Sequence, residues 1–121
     1  MYFHHPRYSS GKHGSNTNMD PIWDLFVRGG GDIALSGHDH SYERFAPMGT
    51  DSRASTTGVR QFVVGTGGAS YYSFGTVKAN SQVRKTNLTA VLKVTVSGTT
   101  YRWRLVRIDG TVIDSGSGSC H

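Results

Sequence analysis

Apolar and polar residues alternate through the last third of the chain. Leu88, Ala90, Leu92, Val94 and Val96 fall on one side, with Thr89, Lys93, Thr95 and Ser97 on the other. This period of two marks a half-buried antiparallel strand. Ser97-Gly98 is a turn signal, after which Tyr101, Trp103 and Leu105 alternate with Arg102 and Arg104. The apolar phase then slips to Val106 and Ile108, which predicts a bulge. Asp109-Gly110 predicts a hairpin into a third strand at Thr111–Asp114. The last third is therefore expected to form an antiparallel β-meander.

The first half reads differently. Asp20–Arg28 has the marks of a helix: Asp20 to cap it, Pro21 in the first turn and Gly29 to Gly31 to end it. Ile22, Leu25, Phe26 and Val27 are expected to face the core. Short apolar runs at Tyr2–His5 and Ile33–Ser36 flank the helix, so strand, helix and strand form one βαβ unit. A further strand is expected at Val59–Val64, ending at the glycine turn Gly65–Gly68. The predicted class is mixed α/β: one βαβ unit followed by the meander.

Composition narrows the function. With 121 residues, the chain is expected to form a single domain, 1–121. No apolar run approaches the ~20 residues of a membrane-spanning helix. The opening residues carry no basic segment followed by an apolar stretch, so no signal peptide is expected in this chain. The single Cys120 excludes an internal disulfide framework and a cysteine-rich zinc site. Thirteen Lys and Arg against eight Asp and Glu give a net charge of +5, which favours anionic partners. Nucleic acid ranks last among these, because Arg102 and Arg104 read more simply as the solvated face of a meander strand.

The chemistry-bearing residues gather after the first two predicted strands. One cluster is His4-His5-Pro6-Arg7-Tyr8 with His13 downstream; the other is Gly37-His38-Asp39-His40. In open α/β sheets, ligands bind beyond the carboxyl ends of the strands, so both clusters are expected at one site. Imidazole is the commonest protein ligand for zinc and suits related metals. Gly37 is expected to turn the chain so that both rings of the second cluster face the pocket. Gly65–Gly68 lacks the Gly-Lys-Ser/Thr ending of a phosphate-cradling loop and reads as a tight turn lining the pocket.

Gly37-His38-Asp39-His40-Ser41-Tyr42-Glu43-Arg44 resembles the last signature of purple acid phosphatases and related calcineurin-like metallophosphoesterases. Phe3-His4-His5-Pro6-Arg7-Tyr8 resembles the signature before it, and Tyr101–Trp103 with Asp109–Gly116 resembles the closing strands of bacterial members. The resemblance implies a partial metallophosphoesterase β-sandwich and hydrolysis of phosphomonoesters by metal-activated water. It assigns His4 and His38 to one ion and His40 to a second, with zinc, iron or manganese as the metal. It implies that His13 contacts the phosphate and protonates the leaving group. It also puts His5, Arg7, Tyr8 and Tyr42 in the substrate pocket, and it suggests a secreted or extracellular setting.

The family's carboxylate signatures (Asp-x-His, Gly-Asp and Gly-Asn-His) do not occur at matching positions. Asp39 is the variable residue within its motif, and Gly31-Asp32 leads into a strand instead. Neutral histidines bring no negative charge, and two close divalent ions repel without a bridging anion. The expectation is therefore a truncated or minimal phosphoesterase, resembling the C-terminal half of the family's catalytic domain. One ion is held by His4, His38 and His40, with a second copy or an N-terminal half as partner and a phosphate ester as substrate. The alternative is a non-catalytic half-domain that binds metal or phosphate.

Overall fold

The computed structural model describes residues 1–121. Its elements are a short 3-10 turn, Thr17–Met19, then α1 (Asp20–Arg28), β1 (Ile33–Ser36), β2 (Tyr42–Met48), β3 (Val59–Val64), β4 (Ser81–Lys85), β5 (Ala90–Ser97), β6 (Thr100–Arg107) and β7 (Val112–Ser119). One sheet has the order β1-β3-β2-β4 and the other β5-β6-β7. β1 and β3 run parallel, and β2 is antiparallel to both of its neighbours. No helix is long and apolar enough to cross a membrane.

The mixed sheet is sandwiched. Strand alternation sends Val59 and Val63 of β3 to one face, where they pack with Tyr8, Trp23 of α1 and Phe45. It sends Phe62 to the other face, against Tyr101, Trp103 and Leu105 of β6. The result is a mixed α/β architecture: α1 on one side of the first sheet, and the meander packed on the other as a partial β-sandwich.

α1 and β3 have the predicted bounds, but the buried face of α1 differs. Ile22 and Leu25 stand 48% and 73% exposed, whereas Trp23 is 1% exposed and Phe26 and Val27 pack against the core. Residues 22, 25 and 26 and residues 23, 26 and 27 both satisfy helical spacing. The larger apolar surface of Trp23 decides the face. Its ring meets Tyr8 edge-on at 5.0 Å, and its Nε1–H donates to Gly49 O at 3.2 Å. Asp20 does not cap α1 with its side chain; it lies in the first turn and pairs with Arg7.

The first predicted strand shrinks to one parallel bridge, Tyr2 to Leu35. Phe3 N–H donates to Leu35 O at 3.0 Å and Gly37 N–H to His4 O at 3.1 Å. The βαβ form survives with a short first arm, and Pro6, which has no N–H, follows directly.

The meander keeps its predicted bulge, a register shift between Leu105 and Val106 against β7. β7 runs to Ser119 rather than stopping at Asp114, because its glycines serve the partner strand. A Cβ on Gly116 would lie 2.4 Å from the Trp103 ring, and one on Gly118 2.4 Å from the Tyr101 ring. The two sheets are tied by Asp114 of β7. It accepts from Tyr42 Oη–H at 2.6 Å, Arg44 Nε–H at 2.8 Å and Trp103 Nε1–H at 3.1 Å.

Candidate metal centre

The histidine loops are held by buried polar groups rather than by regular structure. Residues 6–11 run over the face of the first sheet that also packs α1, where Gln61 of β3 accepts from Arg7 N–H at 3.1 Å and Tyr8 N–H at 3.2 Å. Glu43 of β2 accepts from Ser10 N–H at 2.7 Å and Ser10 Oγ–H at 2.5 Å. Asp39 completes the set, accepting from Ser9 Oγ–H and, at 2.9 Å, from His13 N–H. Gln61, Glu43 and Asp39 are all fully buried, which makes these bonds obligatory.

The second loop is tightly wound. Asp39 N–H donates to Gly37 O and Ser41 N–H to Asp39 O, both at 2.8 Å. The left-handed residue of this turn is His38, with φ 66°, rather than Gly37. Such backbone costs ~1–3 kcal/mol and concentrates at functional sites. Gly65 lets a neighbouring turn approach, since a Cβ there would stand 2.0 Å from Asp39 O.

These turns bring His4, His5 and His38 together, with one ring nitrogen from each within 4.8 Å of the others. His4 Nε2 and His38 Nδ1 are 3.2 Å apart. Two imidazoles on one tetrahedral zinc, at ~2.0–2.1 Å each, place their nitrogens about 3.3 Å apart, a spacing close to that of this hydrogen-bonded pair. Burial, then the neighbouring His13, His5 and His4, push the His38 imidazole below its ordinary value. The neutral ring keeps a lone pair for a metal.

His40 is oriented separately. Its Nδ1 lies 2.6 Å from Ser70 O, and its ring stacks on Tyr72 at 4.1 Å. A carbonyl only accepts, so Nδ1 carries the proton and Nε2 presents its lone pair. His13 is set the same way by a carboxylate: Nδ1 is 2.9 Å from Asp39 Oδ1, and the ring lies 4.3 Å from that of His38.

The remaining expected pocket residues lie elsewhere. Arg7 pairs with Asp20 and sits over the Tyr8 ring. Tyr8 is 8% exposed, packs in the core and bonds Ser52 Oγ through its hydroxyl at 2.8 Å. Tyr42 is fully buried on the opposite face of β2, directed to Asp114. Burial, then its bond to Asp114, push the Tyr42 hydroxyl far above its ordinary value. Strand alternation explains the split: in Tyr42-Glu43-Arg44, only Glu43 faces the histidine loops.

A search of solved structures finds the same chain path in a purple acid phosphatase, PPD1 from yellow lupin (Lupinus luteus) seeds. The TM-score is 0.78 and the identity 25%, over 98% of this chain and 24% of that one. The chain shares the fold of part of a purple acid phosphatase. GAP50, the anchor in the inner membrane complex of Plasmodium, has a TM-score of 0.75 and 19% identity over 98% of this chain and 35% of its own. This chain thus spans about a quarter of the purple acid phosphatase and about a third of GAP50. No protein-family profile and no curated protein matches it.

Within this partial purple acid phosphatase fold, sequence reasoning missed Asp39, Glu43 and Gln61. Asp39 had a readable signal: an acid between two histidines, in a loop with few other acids. Glu43 and Gln61 become legible only when β2 and β3 are placed and their alternation is followed.

Proposed function

We propose that this chain carries the histidine-bearing part of a metal-dependent phosphoesterase that hydrolyses phosphate monoesters. The observation that carries the reading is the juxtaposition of the His4, His5 and His38 cluster with the His13–Asp39 pair. Three neutral imidazoles fit one borderline divalent ion such as zinc, with iron or manganese as the family's alternatives. They do not fit two ions, because no carboxylate joins the cluster.

His4, His5 and His38 would hold the ion. A bound ion would supply Lewis-acid polarisation of a phosphoryl oxygen and activation of water. The chain's own residues do the rest. Asp39 fixes the His13 tautomer by accepting from its Nδ1–H. With Nδ1 facing Asp39, His13 presents Nε2–H to the leaving oxygen as a general acid. Completion of the site by a second copy, or by further protein, belongs to the same reading.

The test is release of phosphate from a chromogenic monoester by the purified chain, with and without added zinc or manganese, and by His38→Ala. Metal-dependent turnover that the substitution abolishes is expected. A second reading, a non-catalytic half-domain that binds metal or phosphate, is favoured by the absence of any acid from the cluster. Zinc binding without turnover is its expected signature.

A further inference from the structure

Two cavities of opposite character flank the histidines. One, of about 640 Å³, runs along Phe3, Leu35, Val64 and Leu92 and touches His4. The other, of about 260 Å³, takes in His5, His13 and His38 and continues along Ser15, Asn16 and Thr17. Pro6 aside, the wall of the smaller cavity holds only histidine, glycine and small polar residues.

The proton donor decides which cavity receives the leaving alcohol. His13 lines the polar cavity and not the apolar one. With its Nδ1 engaged by Asp39, it can protonate a leaving oxygen only from Nε2.

The polar wall has unused hydrogen-bonding capacity. Asn16 Oδ1 accepts from Asn18 N–H at 3.0 Å, while the Asn16 side-chain NH2 and the Thr17 hydroxyl have no partner in the chain. Ser15 Oγ accepts from Ser9 N–H at 3.2 Å and keeps its own proton to donate. An aromatic or alkyl group placed here would displace water from these groups without replacing its bonds, whereas a polyol would replace them.

We propose that this cavity binds the alcohol half of the ester and selects small hydroxylated alcohols, of the glycerol or sugar class, over aromatic and alkyl ones. Asn16 and Thr17 are the specificity-determining residues. The choice of a phosphate ester as ligand rests on the phosphoesterase reading; the selectivity is a property of the cavity itself.

The test separates the two. The metal-free chain, with its side-chain amides labelled for NMR, is titrated with glycerol 2-phosphate and with phenyl phosphate. The polyol ester is expected to shift the Asn16 side-chain amide saturably and to bind about tenfold more tightly than the phenyl ester. Asn16→Leu and, independently, Thr17→Val should each erase most of that preference. The Thr17 side chain is exposed and makes no hydrogen bond within the chain, and its backbone carbonyl, which accepts from Asp20 N–H, is unchanged by Thr17→Val, so that variant folds whatever Asn16→Leu does. Equal affinities, no saturable shift with either ester, or an unchanged preference in Thr17→Val overturns the proposal. Selective binding followed by no hydrolysis with zinc added would leave the cavity's selectivity standing and remove the phosphoesterase reading.

Discussion

Asp39 Oδ1 receives both the backbone N–H and the ring Nδ1–H of His13, each at 2.9 Å, from a position with no solvent exposure. One buried carboxylate thus anchors the loop that carries His13 and sets the direction in which that ring can deliver a proton. Asp39 lies between His38 and His40 in sequence, so the same residue links the loop of those two histidines to His13.

Asp39→Asn should stay folded, because an amide still accepts from the His13 backbone. It should lower turnover by ~10²-fold, since the His13 ring N–H loses its carboxylate partner. Asp39→Ala leaves the buried Ser9 hydroxyl and both N–H groups of His13 without their acceptor and should destabilise the chain by ~2–4 kcal/mol in urea unfolding. Asn and Ala variants of equal stability would show that Asp39 does not anchor the loop.

His13→Gln should slow hydrolysis by ~10²–10³-fold for alkyl esters and much less for nitrophenyl esters. A nitrophenolate leaves without a proton and an alkoxide does not. The check is the dependence of rate on leaving-group pKa, which should steepen in the variant. An identical loss across all esters would assign His13 a different role.

The metal ligands can be told apart by isothermal titration with zinc. His5→Ala and His38→Ala should each weaken binding by more than ~10-fold, and His40→Ala by less. Because the His38 imidazole is held below its ordinary value, by burial first and then by its neighbours, protons compete with the metal less at this ligand than at a free histidine. Zinc affinity should still fall on acidification, because protons compete with a metal for imidazole lone pairs.

Asp114 carries the corresponding prediction for stability. Burial alone would raise its carboxyl, but bonds from Arg44, Tyr42 and Trp103 outweigh burial and hold it below the ordinary value of 3.8. A depressed folded-state value means the stabilisation is complete above the unfolded value and is lost as pH falls through the folded one. The wild-type chain should therefore lose stability below about pH 4, and Asp114→Asn should show a shallower acid slope. Asp114→Ala should cost ~2–4 kcal/mol near neutral pH, because it strands Arg44, the Tyr42 hydroxyl and the Trp103 N–H between the sheets.

Much of the fold could be read from periodicity, and much of the site could not. Strands β5 and β6 alternate so regularly that Trp103 and Leu105 declare their inward face. β2 was hidden, because Tyr42-Glu43-Arg44 reads as a polar motif; its polar side chains are buried only through partners distant in sequence, Asp114, Ser10 and Ser81. β7 extends beyond its predicted end at Asp114 for a similar reason. Its glycines argue against a strand until the rings of Tyr101 and Trp103 are set opposite them. Grouping the histidines followed from strand ends alone. Which of them share a ligating position depends on the left-handed turn at His38, which no local pattern marks.

In the proposed reading, an ion held by His4, His5 and His38 gives this chain phosphoesterase activity. Following phosphate release while titrating the chain with zinc tests it most directly. Turnover should rise to a plateau at one equivalent of zinc and be absent in His38→Ala. A folded chain saturated with zinc that releases no phosphate from any monoester contradicts it.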